Sequence, residues 1–202
     1  FNEYMISNFT KDGEIFALPY DFGGPLLYYN KILFDEAELD YPDESWTFND
    51  LINAGKLIME RVKRPNGKVY GLAANYNTDW QIIGLIDAFG GDYVSEEGKV
   101  LVYNEGTIEA LKLIKELSKI TPPIEEQNVR PHPSWKEGRA AMIFGGPWFY
   151  ELYRNPEVGQ LGFTLMPNGS KGRPQNIIGS GFCISFNSKY PYYGYELIKH
   201  IT

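Results

Sequence analysis

Aromatic rings set beside glycines, amides and carboxylates are the residues of this chain best suited to chemistry, and the chemistry they suit is binding. The 202 residues include 4 Trp, 15 Tyr and 12 Phe, and several of these adjoin loop boundaries. Trp80 follows Asn75-Tyr76-Asn77-Thr78-Asp79, and Trp148 follows Gly145-Gly146-Pro147. A sugar ring has an apolar C–H face that a flat indole or phenol covers. Its rim of hydroxyls is collected by Asp, Asn, Gln and backbone groups. Either tryptophan can equally fill a core. At Gly145–Trp148 a further argument applies, because glycines allow close approach and a helix start presents unpaired N–H groups to ligand oxygens.

A catalytic reading has less to work with. Two histidines and one cysteine build neither a His/Cys zinc cluster nor an internal disulfide. His132 stands between two prolines and His200 in the final helical segment; no Gly-x-Ser-x-Gly elbow or His-Glu-x-x-His helix is present. Gly179-Ser180-Gly181 lacks both the lysine of a phosphate loop and a full dinucleotide fingerprint, which disfavours a nucleotide role for it. Asp21, Asp79 and Asp87 lie near aromatic and glycine-rich segments, and a carboxylate pair would suit glycoside hydrolysis. Spacing alone brings no two of them to the required separation. Cys183 sits in an apolar run and reads as a small buried hydrophobe.

The elements that must position these residues alternate between short strands and helices, which predicts an α/β fold with a mixed or mostly parallel sheet. Strands are expected at Ile15–Leu18, ending near Pro19, and at 26–30, 69–73, 100–102, 140–144, 163–167 and 177–185. Leu26 to Asn30 is a continuous apolar run of the kind buried on both faces. Helices are expected from Thr47, with Asp50 completing a capping pair, and over 80–89, 107–119, 147–153 and 192–201. In the segment 107–119, Ile108, Leu111, Ile114 and Leu117 predict the buried stripe.

Composition bounds the rest. Apolar residues make up 43% and charged ones 22%, which fits one large or two modest globular domains. Nineteen Lys and Arg against 26 Asp and Glu give a net charge of -7, which disfavours a nucleic-acid or anionic-membrane surface. No apolar run approaches bilayer length. The chain opens at Phe1, without initiator Met or signal peptide, and stops inside a predicted helix, as a processed or trimmed piece of a longer product would.

Four segments together carry a family resemblance: Asp12-Gly13-Glu14-Ile15-Phe16-Ala17-Leu18-Pro19, Leu26-Leu27-Tyr28-Tyr29-Asn30-Lys31-Ile32-Leu33-Phe34, Gly138-Arg139-Ala140-Ala141-Met142-Ile143-Phe144-Gly145-Gly146-Pro147-Trp148 and Gly179-Ser180-Gly181-Phe182-Cys183-Ile184-Ser185. In order and spacing the chain resembles the family 1 extracellular solute-binding proteins of bacterial ABC importers, the maltose-binding-protein-like group. The resemblance implies a two-lobe periplasmic-binding-protein-like fold of type II, present here as a fragment. By that mapping residues 1–24 are the end of one lobe and the first crossing, 25–175 the bulk of the second lobe, and 176–202 the return crossing and part of the first lobe.

The same resemblance implies the site. Trp148 stacks on sugar, with Trp80 as a second pocket aromatic. Tyr20 and Asp21 reach solute from the first crossing, and Gly179, Ser180 and Gly181 from the return crossing. Gly146, Asn77, Asp79 and Gln81 are neighbours of the aromatics. Tyr29-Asn30 is expected to be structural. The implied protein is a receptor and not an enzyme. It needs no metal or cofactor, takes a mono- or oligosaccharide, delivers it to ABC permease subunits, and works as a monomer. Its place is extracytoplasmic, in the periplasm or lipid-anchored on the outer face of the cytoplasmic membrane. The alternatives are a receptor for a polyamine or glycerophosphodiester, and, of a different class, a secreted glycoside hydrolase or lectin.

Overall fold

The computed structural model describes residues 3–74, 79–95, 97–127, 132–154, 160–174 and 177–202. These form two compact units, one of Phe1–Gly24 with Ile177–Thr202, the other of Pro25–Asn176.

The unit built from both ends of the chain starts with helix α1 (Glu3–Ser7) and a hairpin of β1 (Thr10–Lys11) and β2 (Glu14–Ile15). Asp12 and Gly13 turn that hairpin with φ of 52° and 81°, a pair of left-handed conformations matched to strand twist. β3 (Leu18–Gly23) and β8 (Ile178–Phe182) then pair antiparallel as a two-stranded ribbon, and α9 (Pro191–Ile201) ends the chain. The strand expected over Ile15–Leu18 is split: β2 ends at Ile15, and β3 starts at Leu18 and runs through Pro19 to Gly23. A ribbon has only edge strands, where a proline without an N–H is tolerated. Cys183 is exposed, against expectation: it lies just past the end of β8, which among the described residues pairs with β3 alone.

The larger unit centres on a four-stranded sheet of order β5-β6-β4-β7, from β4 (Leu26–Asn30), β5 (Tyr70–Ala73), β6 (Ala140–Gly145) and β7 (Leu161–Leu165). Only β5 and β6 run parallel as neighbours, while β4 is antiparallel to both β6 and β7. The sheet is mixed and not mostly parallel. β4 is interior, and alternate residues serve opposite faces. Leu27 and Tyr29 join the main core with Phe34, Leu51, Ile58, Leu72 and Phe144. Tyr28 joins a smaller cluster with Ala73, Trp135, Ile143 and Tyr153. Tyr29 and Asn30 are structural, as expected. The Tyr29 ring lies over Gly162, its partner on β7, and Asn30 caps α2 (Lys31–Glu36) by accepting from the Ile32 N–H.

Helix α3 (Phe48–Arg61) opens with the expected capping box, Thr47 and Asp50 each bonding the other's backbone N–H. It lies almost backbone to backbone on β5, since a Cβ on Gly71 would stand 2.6 Å from the Gly55 Cα. Helix α4 (Asp79–Asp87) follows β5, and α5 (Glu105–Leu117) follows a loop that contains only an isolated bridge, Val94 to Val100, in place of the strand expected at 100–102. The buried side of α5 is Thr107, Ala110, Leu113 and Leu117, while Ile108 and Leu111 face outward. Gly106 sets this phase, because a side chain there would strike the turn at Phe89–Gly91. Close approach of small residues outweighs the largest apolar stripe. Short helices α6 (Ile124–Gln127), α7 (Pro133–Lys136) and α8 (Tyr150–Tyr153) complete the unit.

Candidate functional site

In the larger unit the site grows from one end of the sheet. β5 and β6 are parallel and in register from Tyr70↔Ala140 to Ala73↔Ile143, so both deliver their C-terminal ends to the same edge. That edge of a parallel pair is where α/β proteins hold ligands. After β6 come Gly146 and Trp148, and the element after β5 is α4, whose first two residues are Asp79 and Trp80. The side chains of Asp79 and Trp80, and all of Asn77, lie outside the described residues. Gln81 is buried in the first turns of α4, at 8% exposure.

Trp148 is 45% exposed, whereas Trp135 is buried at 6% and Trp46 packs against the core. The two glycines before it explain how a large ring can sit on so tight a turn. A Cβ on Gly145 would come within 2.8 Å of Tyr153 and 3.1 Å of Phe149, and one on Gly146 would strike the Trp148 indole. Gly146 therefore gives its space to the ring. Trp148 heads a continuous chain of aromatic contacts, of which only the Phe149–Tyr153 pair is stacked face to face. Phe149 lies 5.9 Å from Trp148, Tyr153 is stacked 5.0 Å from Phe149, and Tyr28 and Trp135 meet Tyr153 at 5.5 and 5.7 Å. Two hydrogen bonds tie these rings to backbone. Tyr28 Oη donates to the Gly146 carbonyl at 2.9 Å, and Trp135 Nε1 to that of Tyr153 at 3.1 Å. Burial pushes the Tyr28 phenol up to about 12, so it stays a neutral donor at any ordinary pH.

The helix expected over 147–153 is a 3₁₀ turn, Pro147–Phe149, followed by the single turn of α8. Pro147 has no N–H, and that of Phe149 already donates to the Gly146 carbonyl at 2.9 Å. The turn thus offers a ring more than a set of open donors.

In the smaller unit the ribbon brings together every residue expected there. Pro19 pairs with Gly181 and Asp21 with Ser180, leaving Tyr20 as the extra residue of a β-bulge. One face of the ribbon is taken by packing. A Cβ on Gly179 would stand 2.5 Å from the Phe22 ring, and one on Gly181 2.9 Å from Phe9, while Tyr4 of α1 meets Phe22 edge-on at 6.3 Å. The opposite face carries Ser180, Phe182 and Tyr20. Tyr20 is 57% exposed and its ring lies 4.7 Å from that of Phe182. Asp21 Oδ1 accepts the Ser180 N–H at 2.7 Å. Phe182, Phe149, Tyr153 and Tyr28 were not expected at the site. Strand alternation from Ser180 would have indicated Phe182, and the i,i+4 spacing of Phe149 and Tyr153 beside Trp148 would have paired those two; Tyr28 reaches them only through tertiary packing.

Among the described residues no group of His, Cys, Asp and Glu could hold a metal ion, and no helix is long and apolar enough to cross a membrane.

An α/β fold whose glycine-cleared turn offers an indole at the ends of parallel strands has a surface suited to a flat apolar ligand face. Comparison with known proteins gives the class: the profile of bacterial extracellular solute-binding proteins matches residues 2–202, and the chain belongs to that family. The maltodextrin-binding protein MdxE of Bacillus subtilis is 27% identical over 203 residues, covering 95% of this chain and 46% of that protein. An arabinooligosaccharide-binding protein of Halalkalibacterium halodurans is 26% identical over 157 residues, 74% of this chain and 34% of that protein. Among solved structures, the ABC substrate-binding protein of Listeria monocytogenes in complex with cycloalternan superposes with a TM-score of 0.85 at 21% identity, over 99% of this chain and 51% of that one. The fold is the type II periplasmic-binding-protein fold, and the chain spans about half the length of the curated relatives it matches.

Proposed function

We propose that this chain is part of the extracytoplasmic solute receptor of an ABC importer, and that it binds a mono- or oligosaccharide and hands it to a membrane permease. The observation that carries the reading is Trp148, a ring 45% exposed on a turn that two glycines and a buried hydrogen-bonded tyrosine hold open. A half-exposed indole with a rigid underside is what the apolar face of a sugar needs. Relatives named for maltodextrin, arabinooligosaccharide and galactooligosaccharide binding support the sugar class.

In this reading Pro25–Asn176 is the bulk of one lobe and contributes Trp148, Gly146 and Gln81, while Trp80, Asp79 and Asn77 stay candidates from the sequence alone. The terminal unit belongs to the other lobe and contributes Tyr20 and the Gly179–Gly181 strand, whose Ser180 N–H is held by Asp21. Binding draws the two walls together because the closed state holds the sugar more tightly. In a closed site mispaired hydroxyls cost most, which gives selectivity. The sugar leaves unchanged, so the protein is a carrier and not a hydrolase. It acts as a monomer outside the cytoplasmic membrane, free or lipid-anchored.

The test is calorimetric titration of the full-length protein with glucose, maltotriose, arabinotriose, a galactooligosaccharide, spermidine and glycerophosphocholine. Saturable heat from one sugar class, with the sugar recovered intact, is the expected result. Heat only from spermidine or glycerophosphocholine would replace the sugar assignment, and a cleaved oligosaccharide would replace the receptor by an enzyme.

A further inference from the structure

We infer that Asp21 is a positioning residue: through the Ser180 amide it holds β8 in register, and so sets how the bulged Tyr20 is presented, without itself touching solute. The inference deepens the receptor reading and rests on it.

The ribbon supplies the argument. Pro19 offers no N–H, and the ladder shifts between Pro19 and Asp21, so Tyr20 has no partner across β8. A bulge re-aims the side chain it carries, but a short two-stranded ribbon specifies its register weakly. A slip of one residue would turn Ser180 and Phe182 to the packed face and drive Gly179 and Gly181 to the other. Two features oppose that slip. The rings of Phe22 and Phe9 fit only against glycine, at 179 and 181. Next to the bulge, Asp21 Oδ1 takes the Ser180 N–H at 2.7 Å, a short charge-assisted bond between residues 159 apart in sequence. Phe182, two residues beyond Ser180 and so on the same face, then meets the Tyr20 ring at 4.7 Å with an interplanar angle of 38°. The Asp21 carboxylate is thereby committed to backbone, while the neighbouring phenol remains more than half exposed.

The experiment compares Asp21→Asn, Asp21→Ala, Tyr20→Ala and the Asp21→Ala/Tyr20→Ala double variant of the full-length protein. It has two readouts: hydrogen exchange of the Ser180 amide without ligand, and affinity for maltotriose and arabinotriose. Asn keeps an acceptor, so Asp21→Asn should exchange and bind within about twofold of wild type. Loss of one charge-assisted bond in Asp21→Ala should speed Ser180 exchange and weaken binding, each about tenfold. If Asp21 acts through Tyr20, the double variant binds no worse than Tyr20→Ala alone. Equal affinity losses in Asp21→Asn and Asp21→Ala, with Ser180 exchange unaltered in Asp21→Asn, would overturn the inference by showing that the charge itself meets solute. Additive losses, or unaltered Ser180 exchange in Asp21→Ala, would overturn it too. Faster Ser180 exchange in Asp21→Ala, in a protein whose wild type binds none of the six solutes of the calorimetric panel, would support the strand-holding role and overturn the receptor reading on which Tyr20 depends.

Discussion

Trp148 owes its usefulness to its neighbours more than to its own type. Three other tryptophans occur in the chain, and of those described, Trp135 is spent on packing and Trp46 lies against the core. In the full-length protein Trp148→Ala should weaken sugar binding by roughly 10- to 100-fold, the loss typical of a central aromatic anchor, while leaving thermal unfolding nearly unchanged because the ring is half outside. Calorimetry beside a melting curve separates the two. Gly146 tests the support directly. A methyl in Gly146→Ala would collide with the indole and force it off its seat, so affinity should fall nearly as far as in Trp148→Ala although no ligand-contacting atom has been removed. An unchanged affinity would mean that the indole does not need its present position. Tyr28→Phe removes the buried donor to the Gly146 carbonyl, which keeps its bond from Phe149. The expected cost is about 1 kcal/mol of stability, read from denaturant unfolding.

At the scale of elements, α3 offers the cleanest experiment. Thr47 and Asp50 form a complete capping box at its start, so Thr47→Ala should cost about 1 kcal/mol of unfolding free energy, and Thr47→Ser should restore most of it. That box was legible in sequence because capping is local. So were the apolar run of β4 and the Gly-Gly-Pro-Trp turn. What could not be read depends on partners far away in the chain. The outward turn of Ile108 and Leu111 follows from Gly106 meeting the Phe89–Gly91 turn. The exposure of Cys183 follows from β8 pairing, among the described residues, with β3 alone. The antiparallel placement of β4 between β6 and β7 is a matter of topology that periodicity does not encode. In the site the same divide holds. Trp148 could be picked by its flanks, whereas the contacts of Tyr28 and Trp135 with Tyr153, and the bond from Asp21 to Ser180, exist only once distant segments have met.

For the molecule as a whole, His132 couples stability to pH. It is 5% exposed, its Nδ1 lies 3.0 Å from Ser134 Oγ, and burial, with the positive charge of Arg139 second, holds its pKa down at about 4 from the usual 6.5. Between these values the unfolded chain binds a proton that the native protein refuses. Stability is therefore full above about pH 6.5 and falls as the pH drops toward 4, by up to about 3 kcal/mol. Urea unfolding at pH 7 and 4.5 should show this loss in wild type and a clearly smaller one in His132→Gln. Equal losses would place the titrating group elsewhere.

The ribbon of β3 and β8 has one more consequence, for the order in which the chain folds. The larger unit is one uninterrupted stretch, Pro25–Asn176, and can assemble while residues beyond it are still being made. Asp21 and Ser180 must instead find each other across 159 residues, and closing a free loop of that length costs about 4–5 kcal/mol in chain entropy. Once the sheet has formed, Leu26 is already paired with Leu165, so most of that loop is closed before the ribbon begins. The sheet should thus fold first and act as the clamp on which the ribbon zips, with amide protection at Ser180 appearing after protection in β4 and β6.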